Sequence, residues 1–152
     1  MRPLEFLYKY DGVIKKSVQG TGLLPSVLMA QAILETGWGG TVKANNMFGI
    51  KATGPKTPFW DGRWMRCFTH EIVKGAIVPI YCNFRVYDTL EASISDHNLL
   101  VTSLARYKKV LTEKTAQGQC TALQVAGYST SPKYAKTLMV IIRFYTLTDM
   151  DK

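Results

Sequence analysis

Apolar residues recur along this chain with two different periods, and the change of period divides it into regions. Leu24, Val27, Leu28, Ala30, Ile33 and Leu34 return at steps of three and four, the pattern of a helix with a buried stripe. Gly37 suits the end of that helix, because glycine takes the left-handed cap conformation without steric cost. Pro25 suits its first turn. Upstream, Leu4, Leu7, Tyr8, Ile14 and Val18 outline an apolar face for a helix over residues 3 to 19, with Lys15 and Lys16 turned to water. Gly20-Thr21-Gly22 breaks it.

The period shortens after residue 52. Trp60, Trp64, Phe68, Ile72 and Val73, then Ile77, Val78, Ile80, Tyr81, Phe84 and Val86, flank Lys74-Gly75. That β-branched and aromatic enrichment around a two-residue turn predicts a β-hairpin lobe over about residues 58 to 87. Pro79 lacks an N–H, so its strand should be an edge or bulged there. Helical spacing then returns. Asp88-Thr-Leu-Glu91 has the form of a capping box opening a helix to about Leu104. A shorter helix is expected over residues 113 to 126. Ser131-Pro132 makes an N-cap and first-turn pair for a last helix over residues 132 to 145. The expected class is α+β, mostly helical, with residues 1–152 as a single domain.

One carboxylate, Glu35, falls in the last turn of the apolar helix, with Gln31 one turn before it on the same face. The helix C-terminus carries partial negative charge and disfavours a second one. Apolar neighbours such as Trp38 and Phe48 would exclude water and push the carboxyl pKa the same way. A carboxylic acid protonated near neutral pH is what general-acid cleavage of a glycosidic bond requires. An ordinary salt bridge at a helix end is the competing reading of the position alone.

The run from Gln31 to Gly39, QAILETGWG, followed by NNMFGIK from Asn45 to Lys51, resembles the signature of the peptidoglycan-cleaving glucosaminidases, glycoside hydrolase family 73. FRVYD from Phe84 with EASISDH from Glu91, and GYSTSPKYA from Gly127, resemble that family's later blocks in the same order. The resemblance implies a lysozyme-like helical domain whose β-hairpin lobe forms one side of a cleft. It implies Glu35 as general acid acting on peptidoglycan glycan strands, at the GlcNAc-β-1,4-MurNAc bond. A muramidase or lytic transglycosylase on a related fold, or an inactive wall-binding module, are the alternatives.

Glycosidases commonly need a second carboxyl group, about 5 Å away for a nucleophile or about 6.5–9.5 Å for a water-activating base. Glu71, three residues before the hairpin turn, is the first candidate, and it lies where the family carries a second carboxylate. Asp61 is the runner-up, and the substrate's own N-acetyl group is a third route. The resemblance places Tyr128 in the cleft near the acid. It also sets the loop containing Asn46 and Phe48 along the sugar groove, with Gln31 and Tyr134 in the matching blocks. Trp38 would shape the wall beside Glu35. Trp60 and Trp64 would stack on sugar or fill the hairpin core.

Composition narrows the partners. Lys and Arg number 19 against 11 acidic residues, a net charge of +8. The cations are scattered and accompany no nucleic-acid motif, so an anionic bacterial wall suits them as well as nucleic acid. The reading is no nucleic acid, no membrane insertion, no cofactor, no metal, and a monomer. His70 and His97 are too far apart, without cysteine support, to read as ligands. Cys67 and Cys82 are equidistant from the turn and would face each other at a hydrogen-bonded pair, within disulfide range of Cα spacing. Reduced, packed thiols are the favoured reading. The first residues, MRPLEFLYKYDG, lack the form of a secretory signal. Action in the wall or periplasm therefore implies a removed signal, a longer parent chain, or export by another route.

Overall fold

The structure is a computed structural model and describes residues 1–152. Six α-helices surround one antiparallel hairpin in the order α1 (Pro3–Ser17), α2 (Pro25–Thr36), β1 (Trp64–Val73), β2 (Ala76–Arg85), α3 (Leu90–Ser103), α4 (Lys108–Thr112), α5 (Ala116–Val125) and α6 (Tyr134–Phe144). Short 3-10 turns occupy Ala105–Tyr107 and Leu147–Asp151. No helix is long and apolar enough to cross a membrane.

The middle of the molecule is α2. Every residue from Ser26 to Ile33 is buried, so the helix is enclosed on nearly all sides rather than along one stripe. Phe6, Tyr10 and Ile14 of α1, Ile94 and Val101 of α3, Cys120 and Leu123 of α5, and Leu138, Met139 and Ile142 of α6 join it in one core. Both ends of α2 are as the sequence implies, with Pro25 in the first turn and Gly37 as a left-handed cap at φ 53°. The N-terminus has a further partner in Asp151, whose carboxylate accepts from the Ser26 N–H at 2.9 Å and its hydroxyl at 2.6 Å. A negative charge suits that end of the helix dipole.

Several expected boundaries move. The inward stripe of α1 is Phe6, Tyr10, Ile14 and the following Val18, spaced by four, whereas Leu4 and Tyr8 point to solvent, Tyr8 at 92% exposure. The cap of α3 is Thr89, which accepts from the Ala92 N–H at 3.1 Å. Asp88 is left for an ion pair with Arg63. Thr115 caps α5 by accepting from the Gly118 N–H at 3.0 Å, so that helix starts three residues later than expected. Ser131 accepts from the Lys133 N–H at 3.2 Å, forming a turn outside α6, which begins at Tyr134.

In the hairpin, Lys74 (φ 50°) and Gly75 (φ 79°) both take positive φ, as a two-residue turn matching strand twist demands. Val73 pairs with Ala76, and counting outward puts Cys67 opposite Cys82, both as free thiols. The ladder passes Pro79 without a bulge. Pro79 stands opposite His70 at a non-hydrogen-bonded position, where no N–H is needed. A two-stranded sheet has only edges, so proline costs it no ladder bond.

Candidate active site

Glu35 ends α2 with no ion-pair partner, and no side-chain hydrogen bond holds its carboxyl. The residue as a whole is exposed, yet protein crowds the carboxyl itself. Gly49, at φ 62°, brings the loop backbone against it, so that a Cβ there would stand 3.8 Å from Glu35 Oε2 and 3.7 Å from the Phe84 ring. Crowding decides the proton affinity. Desolvation, helped by the negative charge of Glu71, raises the Glu35 pKa to about 7.

Glu71 projects from β1 toward the helical body and joins three segments. Its Oε1 lies 2.7 Å from Lys51 Nζ, and its Oε2 accepts from the Thr130 hydroxyl at 3.0 Å. Thr130 Oγ1 in turn accepts from the Ile72 N–H at 3.3 Å. Partial burial pushes the Glu71 carboxyl up, but the bonds from Lys51 and Thr130 outweigh it and leave the pKa below the usual value. The two carboxyl groups are thus driven apart, one toward the acid and one toward the anion. That is the division of labour a glycosidase needs. Asp61 accepts from the Arg63 N–H and Nε at 3.0 and 2.8 Å in an exposed local pair, and its charge does not act on Glu35.

Tyr128 forms a shelf beside the acid. Its ring stacks on Tyr134 at 5.6 Å and meets His97 edge-on at 5.7 Å. Its hydroxyl makes no hydrogen bond to the protein, while burial and then the nearby Tyr134 and Glu35 keep it protonated. The other expected groove residues lie under the site. Gln31 and Tyr134 bond each other at 3.0 Å and are 2% and 1% exposed. Asn46 staples its own loop, donating to the Ile50 and Arg85 carbonyls and accepting from the Ile50 N–H. Phe48 lies against the His97 ring at 4.1 Å. Trp60 is buried with its indole N–H on the Arg63 carbonyl and the Arg85 guanidinium 4.0 Å from its ring. None of these five offers a free face to a sugar, so each supports the site from behind. Trp38 packs between Phe6 and Tyr145 at 5.7 and 4.8 Å, part of an apolar groove of about 450 Å³ at the ends of α2 and α6 that contains no carboxylate.

Sequence reasoning missed the groups that hold this arrangement. Asp96 is fully buried and accepts from Arg85 at 2.7 Å, Thr57 at 2.7 Å and the Tyr87 hydroxyl. Arg85 also donates to the Lys51 and Thr53 carbonyls. This network ties the base of the hairpin to α3. Lys51, Thr130, Arg85 and Asp96 all sit inside the motif blocks, and that position is the only signal that could have flagged them.

The family model described as mannosyl-glycoprotein endo-beta-N-acetylglucosaminidase matches residues 12–147. The chain belongs to the glucosaminidase family. Within that family, the exo-glucosaminidase LytG of Bacillus subtilis is 36% identical over 138 residues, covering 86% of this chain and 47% of LytG. The peptidoglycan hydrolase FlgJ of Salmonella typhimurium is 34% identical over 146 residues, covering 91% and 45%. The chain spans about half the length of these curated relatives. Among solved structures, a mutant peptidoglycan hydrolase from Sphingomonas sp. A1 superposes with a TM-score of 0.82 at 31% identity, covering 96% of both chains.

Proposed function

We propose that this glucosaminidase-family chain hydrolyses the β-1,4 bond on the reducing side of N-acetylglucosamine in peptidoglycan. The observation that carries this reading is Glu35, an unpaired carboxyl held protonated near neutrality beside an ionised Glu71. Glu35 donates its proton to the glycosidic oxygen as the bond to the anomeric carbon breaks. Glu71 stabilises the positive charge that develops on the sugar ring and takes a proton from the attacking water. The products are a free reducing end and a hydroxyl on the leaving sugar, and solvent reprotonates Glu35. The unbonded Tyr128 hydroxyl orients the sugar or its N-acetyl group. The names of LytG and FlgJ, and a net charge of +8 suited to an anionic wall, support the choice of substrate.

One observation favours a second route for the attack. Lys51 and Thr130 engage both oxygens of Glu71 and weaken it as a base. In that case the substrate's N-acetyl oxygen attacks the anomeric carbon, and Glu71 acts through its charge. Two variants decide the matter. Purified protein is incubated with peptidoglycan, and new reducing ends are reduced and identified. Glucosamine at the new end supports hydrolysis as proposed, anhydromuramic acid indicates a transglycosylase, and no release indicates a binding module. Glu35→Gln should lower turnover by about 100-fold or more with the fold retained. A loss of similar size in Glu71→Gln supports the general base, and a small loss supports substrate assistance.

A further inference from the structure

The hairpin has two faces, and the candidate site uses one of them. Cys67, Thr69, Glu71, Val78, Ile80, Cys82 and Phe84 are half-buried toward the helical body. Alternate positions point the other way. They carry Trp64, Arg66, Phe68 and His70 on β1 and Ile77, Pro79, Tyr81 and Asn83 on β2, all exposed. Trp64, Phe68 and Tyr81 are 59%, 54% and 64% accessible.

The outer face is ordered rather than random. Phe68 and Tyr81 are directly opposed across the ladder with ring centroids 5.3 Å apart. The Arg66 guanidinium carbon lies 4.8 Å from the Tyr81 centroid, and His70 meets Phe68 edge-on at 5.3 Å. The face bears the Arg66 cation and no carboxylate. The Phe68–Tyr81 pair contributes to the hairpin's own stability, and three large aromatic side chains together on a solvent-facing ribbon also form an exposed patch of the kind that marks an interaction site.

We propose that this outer face is a second glycan-binding surface, which holds a peptidoglycan strand other than the one in the cleft. The proposal rests on the peptidoglycan reading above. Aromatic faces carry negative quadrupole density and attract the polarised C–H groups on the flat side of a pyranose. Arg66, with Lys74 at the turn, complements the carboxylates of stem peptides. The same strand presents Glu71 on its reverse side, so a layer of wall held outside the hairpin sets a neighbouring strand at the cleft. A second copy of the chain fits this face less well. Pairing about a twofold axis would bring like outer faces, each with Arg66 and no acid, together on molecules of net charge +8.

The test separates surface from chemistry. In a Glu35→Gln background, co-sedimentation with purified insoluble sacculi measures binding without digestion. In the active chain, release from soluble, uncrosslinked glycan strands measures the cleft. Phe68→Ser with Tyr81→Ser should weaken sedimentation ~10-fold and slow digestion of intact sacculi, with turnover of soluble strands unchanged. Arg66→Glu leaves the rings in place and should also weaken sedimentation, most at low salt. It decides the question if the double variant melts early. Unchanged sedimentation of Arg66→Glu and of a folded double variant overturns the proposal. So does a dimer of the parent chain in light scattering that the double variant dissolves. Weakened sedimentation alongside an inactive parent chain would leave this surface standing and remove the hydrolytic reading instead.

Discussion

In the proposed reaction Glu35 is the residue whose proton decides the chemistry, and its affinity has two separable causes. Desolvation is the larger, and the charge of Glu71 adds to it. The protonated fraction falls as pH rises through about 7, so kcat/KM on soluble glycan should decline above that point. In Glu71→Gln the repulsion is gone and Lys51 loses its anion, so whatever activity remains should decline at lower pH. A pH profile of both proteins checks this, and an unmoved limb would mean that the titrating group is not Glu35. At this scale the sequence pointed to Glu35 and Glu71 as candidates but not to what surrounds them. The position of Glu35 before a glycine cap, inside the family motif, made the acid visible. Its lack of an ion pair depends on where every lysine and arginine falls, which no local pattern encodes. Trp60 shows the converse: an aromatic near a sugar site reads as a stacking platform until the Arg85 guanidinium is found covering its ring.

The hairpin is the element that completes the candidate site, and beyond its base it is held by few contacts. Glu71 takes Lys51 from the loop after α2 and Thr130 from the loop before α6, and Thr130 also receives the Ile72 N–H. Isolated two-stranded hairpins are marginally stable in water, so these clasps set how long the hairpin tip stays docked with Glu71 in place. Thr130→Val removes both bonds at nearly constant volume. It should speed amide exchange across residues 64 to 85, leave α2 exchange unchanged, and lower kcat/KM several-fold. Exchange followed by mass spectrometry reads the first two effects. The elements themselves were legible because their signals are local: the periodicity of α2, its Pro25 and Gly37 ends, and the Lys74-Gly75 turn. Errors came where two local signals competed. Asp88 and Thr89 can both cap a helix; the neighbouring Arg63 takes Asp88 and leaves Thr89 to the Ala92 N–H. In α1, Leu4 and Tyr8 have the right spacing for a core face, but the stripe through Phe6, Tyr10 and Ile14 meets α2 instead.

Across the whole molecule, a buried polar layer joins the hairpin base to α3 and lies directly behind the site. Asp96→Asn leaves the Arg85 guanidinium buried without its anion, and such losses cost about 3–5 kcal/mol. Urea unfolding of the variant should show that loss with Glu35 untouched. His97 next to it makes stability depend on pH. Asn98 Nδ2 donates to Ser17 at its carbonyl and hydroxyl, which turns Asn98 Oδ1 toward His97 and makes Nδ1 the donor across 2.9 Å. Nε2 is then an acceptor buried with no protein partner, and Phe48 packs on the ring. Burial, opposed weakly by Asn98 and by the charge of Asp96, lowers the His97 pKa to about 4. In the unfolded chain the same imidazole takes its proton from about pH 6.5 downward. Between those values the unfolded state binds more protons than the folded one, so stability falls as pH drops from 6.5 toward 4. The contribution of this one residue across that window is on the order of 3 kcal/mol. His97→Gln keeps a hydrogen-bonding side chain but cannot take up the proton. Its unfolding free energy should therefore fall less between pH 7 and pH 4 than that of the parent chain, by roughly that amount. Carboxylates titrate in both proteins and cancel in the difference. Parallel pH curves would place the imidazole in contact with solvent, with Phe48 and Tyr128 no longer sealing the floor beneath Glu35.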